Sequence, residues 1–339
     1  MADATPDMVA VAAWVDGRLP GFDAVHSVTK FTGGQSNPTF RIETAAGDYV
    51  LRRKPLGKLL KSAHAVEREF RVQQALAQSD VPVASVHLLC ESDAVIGSAF
   101  YLMELVEGDS FQDPRLPDLN NETRGAVLAE MADVLGRLHQ VDPTAVGLGD
   151  YGPSGNYFAR QLSRWSGQYA ATETETLPDM DRLIAQLTER LPDDDGQLSL
   201  VHGDFRLDNL IFEHGGQRCR AVLDWELSTL GHPYADVAGV IMQWQMPVGT
   251  EGRGLDGVDR AAIGAPTDKE FVARYCANRC IDTIPDFGVY VAFAFFRMAA
   301  ILQGVKKRAL DGNAANPEHG LRMGAYVPAF AAKGLEALV

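Results

Sequence analysis

Residues 25–53 alternate apolar and polar side chains around a Gly-containing break, "VHSVTKFTGGQSNPTFRIETAAGDYVLRR". A two-residue period marks half-buried strands. The pattern therefore predicts strands over 25–31, 39–44 and 49–52, with a turn at Gly33-Gly34. From 62 to 79 the period changes: Val66, Phe70, Gln73/Gln74 and Leu76/Ala77 recur at helical spacing and predict an amphipathic helix. "VHLLCE" at 86–91 and "SAFYLMELV" at 98–106 return to strand character. Residues 1–106 thus read as a small antiparallel sheet with one helix laid against it.

Beyond "EGDSFQDPRLPD" at 107–118 the helical period dominates. Asn121 is the expected cap of a helix over 122–139, in which Val127, Leu128, Met131, Val134, Leu135 and Leu138 share a face. The exception is 199–226, where "LIFEHGGQRCRAVLDW" predicts a β-hairpin turning at Gly215-Gly216. Residues 246–266 predict a long loop, and Thr267 and Glu270 in the following "PTDKEF" are spaced as a capping box. "VYVAFAFF" at 289–296 is stopped by Arg297, too short a run to span a bilayer, and predicts a buried helix. The chain is expected to be α+β in two parts: a sheet lobe over 1–106 and a larger, mainly helical lobe over 107–339.

Composition narrows the partners. In 339 residues, 31 Lys+Arg face 45 Asp+Glu, a net charge of −14 that argues against general nucleic-acid binding and against an anionic membrane surface. Asp3 and Asp7 stand where an export signal would carry basic residues. Four cysteines in a chain this long do not suggest a disulfide framework. Cys276 and Cys280 fit one helix face but have no neighbouring pair to complete a zinc pattern. A cytoplasmic protein with reduced thiols is expected; its oligomeric state is left open.

The candidate chemistry lies in "HGDFRLDN", residues 202–209. It crowds charged side chains between apolar runs, on the loop entering the hairpin. Antiparallel pairing around Gly215-Gly216 brings Asn209 towards Asp224 at the far end of the second strand. An amide oxygen and a carboxylate at one sheet end form a hard-oxygen pair suited to Mg²⁺, which completes its shell with water and phosphate. Asp204 is a carboxylate able to accept a hydroxyl proton, and Arg206 a cation for charge building on a transferring phosphoryl group. Upstream, the backbone N–H groups of Gly33, Gly34 and Ser36 can cover phosphates. Arg52 ends the third strand, and Glu69 on the following helix is its expected partner. His202 is expected to brace the loop rather than react.

The order of these parts resembles the protein kinase-like fold, and specifically the aminoglycoside phosphotransferase superfamily, in which H-G-D-x-x-x-x-N is the catalytic loop and the Asp of "LDWE" replaces that of D-F-G. Three stretches, "VLRRKPLGKLLKSAHAVEREF", "LDWELSTLGHPYADVA" and "FRMAAILQGVKKRAL", resemble kinase-like domains that in some animals are fused ahead of an acyl-CoA dehydrogenase. No dehydrogenase portion is expected in these residues, and that activity is not assigned to them. The resemblance implies ATP and Mg²⁺ as cofactors, Asp204 as catalytic base, Asn209 and Asp224 as metal ligands, and Arg52 in place of the phosphate-binding strand lysine. It implies a hinge over Glu104 to Val106 that meets adenine, and an Asp236 that holds the catalytic loop. Arg at the lysine position departs from the pattern, with Lys54 as a candidate substitute. The implied activity is phosphoryl transfer to a hydroxyl of a small molecule, a hydroxyacyl-CoA being the first candidate. Arg297, Lys306, Lys307 and Arg308, on one helix without an intervening acid, favour an anionic acceptor. The alternatives are a nucleotide-binding pseudokinase and an antibiotic phosphotransferase.

Overall fold

Strands β1 (Val25–Lys30), β2 (Thr39–Thr44) and β3 (Gly47–Arg53) follow one another in antiparallel register, with Phe40 opposite Leu51 and Thr39 opposite Arg52. The computed structural model describes residues 5–31, 37–57, 64–249, 253–314 and 316–339. The predicted turn residues Gly33, Gly34 and Ser36 lie outside the described residues. Strands β4 (Val86–Cys90) and β5 (Phe100–Glu104) complete a sheet of order β1-β2-β3-β5-β4.

Two apolar clusters separate by strand parity, because successive side chains leave a strand on opposite faces. Phe40, Ile42, Leu51, Phe100 and Leu102 pack with Val11 and Val15 of helix α1 (Met8–Val15). Val50, Tyr101 and Met103 point the other way and pack with Val66, at the start of helix α2 (Val66–Leu76). The periodicity anticipated α2 alone. The additional helix α1 is announced by Asp7, whose carboxylate accepts from Val9 N–H and Ala10 N–H.

Contacts divide the chain into two units, each built around its own core. The first joins Met1–Ser110 to Thr144–Gly149 and Asp208–Ser228; the second holds Phe111–Pro143, Asp150–Leu207 and Thr229–Val339. The predicted hairpin forms from β7 (Leu210–Phe212) and β8 (Cys219–Val222), after the short β6 (Ser199–Val201). It belongs with the sheet unit for a physical reason. Its backbone is stitched there, Val222 N–H to Pro82 O at 2.8 Å and Phe212 N–H to Asp109 O at 2.9 Å. The first unit thus runs to Ser110 and also draws in a hairpin from the helical half of the sequence.

The second unit contains α3 (Asn121–Gln140), α4 (Tyr157–Thr172), α5 (Pro178–Arg190), β9 (Thr229–Gly231), α6 (Tyr234–Trp244), α7 (Asp268–Asn278), α8 (Phe287–Leu310), α9 (Pro317–Gly324) and α10 (Val327–Glu336). Helix α8 is its axis, packed by α4, α6, α9 and α10. By length and composition α8 would pass for a membrane span, yet 67% of its apolar window is buried inside the protein. Two sequence expectations shift by a residue or more. Asn120, not Asn121, caps α3 by accepting from Thr123 N–H, while the Asn121 amide donates to Ala262 O. Cys280 lies beyond the end of α7 with a positive φ of 54° and is exposed, so it does not share a helix face with buried Cys276. The Thr267/Glu270 capping box forms as expected.

Candidate active site

In the first unit, parity places Arg52 on the same sheet face as Val50, the face covered by α2. There its guanidinium holds two carboxylates: Nε lies 2.6 Å from Glu69 Oε2, and Nη2 lies 2.7 Å from Asp224 Oδ1. Glu69 is only 1% exposed and also accepts from Asn37 Nδ2 at 2.6 Å and Tyr101 O–H at 3.2 Å. Burial pushes the Glu69 carboxyl up, and the Arg52 guanidinium and the Asn37 amide pull it back. Burial also opposes the Arg52 charge, but Glu69 and its neighbours hold the guanidinium above its already high value. Lys54, the candidate substitute, pairs its Nζ with Glu67 at 2.8 Å.

The hairpin register sets the other end of this group. Leu210 pairs with Val222, and Leu223 N–H donates to Asn209 O at 2.8 Å, extending the ladder by one step. Asn209 and Asp224 therefore emerge at the same end. Asp224 follows the strand rather than ending it, in a left-handed conformation (φ 63°, ψ 58°) that a non-glycine residue adopts at a cost. Among the described residues, no three His, Cys, Asp or Glu side chains gather to form a metal cage. An amide oxygen and a carboxylate at one strand end are instead the sparse donor set that Mg²⁺ uses beside phosphate.

In the second unit, β6 delivers the loop His202 to Leu207. Gly203 adopts φ 85°, a left-handed conformation that glycine enters without the Cβ penalty. That turn aims two consecutive N–H groups at one carboxylate: His202 N–H donates to Asp236 Oδ2 at 2.7 Å and Gly203 N–H to Oδ1 at 2.8 Å. Asp236, in the first turn of α6, also faces His139 Nε2 at 3.2 Å. Burial alone would raise the Asp236 carboxyl, but the hydrogen bonds from His139 and Gly203 hold it below the ordinary range. Burial lowers His139, so a neutral imidazole donates from Nε2 to Asp236 and accepts from the Tyr275 hydroxyl at Nδ1, 2.8 Å away. On the loop's other side Arg297 Nη2 donates to Gly203 O at 3.3 Å. Arg206 Nε lies 3.3 Å from Asp204 Oδ1, and both side chains are partly exposed.

The structure thus brings Arg52, Glu69 and Asp224 together in one unit, and His202, Asp204, Arg206 and Asp236 in the other. Glu104 ends β5, where its N–H donates to Ser85 O, and Val106 lies just beyond it. The acceptor run looks different from its sequence. Lys306 pairs with Glu175, and Lys307 with Asp311 at 2.5 Å, so neither is a bare charge. Sequence reasoning missed Asn37, His139 and Tyr275. Asn37 had a local signal, its place in the sequence just after Gly33-Gly34, whereas His139 and Tyr275 come from remote helices and carried none.

Solved structures share this architecture. Aminoglycoside phosphotransferase APH(4)-Ia, in ternary complex with AMP-PNP and hygromycin B, superposes with a TM-score of 0.64 over 97% of this chain and 98% of that one, at 16% identity. That likeness defines the class as a protein kinase-like fold. A candidate aminoglycoside phosphotransferase from Ralstonia eutropha JMP134 is nearer, with 43% identity, a TM-score of 0.91 and 98% of both chains covered. Residues 27–279 match the phosphotransferase enzyme family (APH), and the chain belongs to that family. Mouse acyl-CoA dehydrogenase family member 10 is 47% identical over 304 residues, covering 88% of this chain but 28% of that protein. The chain spans less than half the length of the curated relatives it matches.

Proposed function

We propose that the chain is an ATP- and Mg²⁺-dependent small-molecule kinase that transfers the γ-phosphoryl group to a substrate hydroxyl. The observation that carries this reading is the bridging guanidinium of Arg52, which joins the helix acid Glu69 to the hairpin acid Asp224. Phosphoryl transfer is mostly positioning and charge stabilisation, and this is how a strand cation is fixed for phosphate binding. The sheet part is the nucleotide-binding part, with the N–H groups of Gly33, Gly34 and Ser36 over the phosphates and the backbone of Glu104 to Val106 at the adenine. Asn209 and Asp224 hold the metal, which when bound neutralises phosphate charge. The helical part supplies the acceptor site. Asp204 takes the hydroxyl proton, Arg206 steadies charge on the transferred group, and Asp236 keeps the loop in register through the N–H groups of His202 and Gly203. A hydroxyacyl-CoA is the leading acceptor, supported by the homologous region's occurrence in proteins named for acyl-CoA dehydrogenases. A cytoplasmic setting fits four free cysteines, three of them buried.

Mg²⁺-dependent ADP formation with pooled hydroxyacyl-CoAs, amino alcohols, sugars and aminoglycosides tests the reading. Asp204→Asn should cut turnover by about 10²–10⁴-fold, the usual worth of a positioned general base, while calorimetry still records nucleotide binding. Nucleotide binding without turnover on any pool would reduce the chain to a binding module.

A further inference from the structure

One feature of the second unit has no part in that scheme. Trp165, on α4, has two guanidinium groups over its ring: Arg164 at 5.2 Å and Arg297 at 5.9 Å from the centroid. Neither cation has a carboxylate within ion-pair distance among the described residues, although the chain as a whole is acidic. Elsewhere on α8, Lys306 pairs with Glu175 and Lys307 with Asp311. Arg297 is also anchored, since its Nη2 donates to the carbonyl of Gly203, the residue before Asp204. Both guanidinium groups lean on the same indole, whose face attracts a cation without neutralising its charge. Their remaining N–H edges are donors that suit an anion.

We propose that Arg297, Arg164 and Trp165 form an anion subsite for the acceptor, so that the preferred substrate presents a carboxylate or a phosphate there, the phosphates of a CoA included. This rests on the kinase reading, in which Asp204 is the base. Guanidinium groups suit both anions because their planar N–H edges match two oxygens at once. Arg297 fixes the distance between that anion and Asp204, because the same side chain touches the backbone next to the base. Lys306 and Lys307, already paired, add little to the selection.

Two measurements separate this inference from the kinase reading. The first is direct binding, as the change in Trp165 fluorescence (wild type minus Trp165→Phe) on titration with inorganic phosphate and with a short hydroxycarboxylate. Saturable binding that weakens with salt, and that falls at least tenfold in Arg164→Gln/Arg297→Gln, is expected. Response to only one of the two anions identifies which group the subsite takes. No saturable binding of either anion overturns the proposal, whatever the catalytic activity. The second is steady-state kinetics with a hydroxycarboxylate, its methyl ester and a hydroxyalkyl phosphate. Wild type should prefer an anionic acceptor, and Arg297→Gln should reduce that preference by about tenfold through KM, the pattern of lost uniform binding. A variant that loses kcat on the ester and the anions alike, with the preference unchanged, would make Arg297 a brace of the catalytic loop and overturn the subsite. Anion binding without phosphoryl transfer to any acceptor would leave the subsite standing and sink the kinase reading instead.

Discussion

The two units solve the same problem, holding a buried carboxylate, in opposite ways. In the first, Glu69 is held by a formal charge: Arg52 stands 2.6 Å away and spends its second arm on Asp224. In the second, Asp236 is held mainly by neutral groups, two backbone N–H donors and an uncharged His139. The first arrangement depends on which cation is present and can be exchanged when a nucleotide brings its own charge. The second depends on backbone geometry, chiefly the left-handed Gly203, and has no ionic partner to lend. On the proposed kinase reading, a pair that can open suits a group that meets phosphates, whereas backbone donors suit a loop that stays still.

The sharpest way to break this comparison is to remove Asp236. Asp236→Ala leaves the His202 and Gly203 N–H groups and His139 without their acceptor and should cost about 3 kcal/mol or more, since each buried polar group left unsatisfied loses about 1–3 kcal/mol. Urea unfolding followed by circular dichroism measures it; a loss below about 1 kcal/mol would mean that the loop does not depend on this carboxylate. Arg52→Lys should act more gently. An ammonium keeps the charge but lacks the planar fork that spans Glu69 and Asp224, so about 1–2 kcal/mol of stability should go and the KM for Mg·ATP should rise several-fold. Unchanged stability and KM would show that the fork is not used.

The smallest effect sharpens the contrast by pH. Burial keeps His139 below its ordinary value and the network keeps Asp236 below the carboxylate range. Below about pH 6.5, the ordinary value for histidine, the unfolded chain binds more protons than the native one at these sites, and stability falls as pH drops. Glu69 works with the opposite sign. Its raised carboxyl contributes stability that is full below the ordinary glutamate value, about 4.3, and is lost as pH rises through the folded value. Urea midpoints between pH 7.5 and 5 should fall less, or rise more, toward acid in His139→Gln than in the wild type, since Glu69 contributes equally to both. An equal slope in the variant would assign the acid sensitivity to other groups.

Much of this was legible locally. Period-two alternation is a property of neighbouring residues, and it placed β2 at Thr39–Thr44 with Arg52 on the α2 side of β3. The D-x-x-x-x-N spacing and the hairpin glycines marked the loop and the common end of Asn209 and Asp224 for the same reason. Local pattern was less reliable at boundaries, where Asn120 and Asn121 are equally good caps by type. Only the side-chain oxygen of Asn120 reaches Thr123 N–H, because Asn121 is drawn away to Ala262.

Sequence by itself determined the strands of the sheet, helix α2, the hairpin and the identities of the candidate side chains, because short-range sterics and the motif's spacing act within a few residues. Tertiary structure alone decided the partners. The hairpin joined the sheet unit because its backbone bonds run to Pro82 and Asp109, more than 100 residues earlier. His139 met Asp236 across 97 residues, and the lysines of α8 found Glu175 and Asp311, while Arg164 and Arg297 found an indole and, for Arg297, a backbone carbonyl, but no carboxylate among the described residues. A run of like charges in a sequence states how much charge is present. Which of those charges remain unneutralised is settled by the distances that packing imposes, since an ion pair forms or fails within about 4 Å.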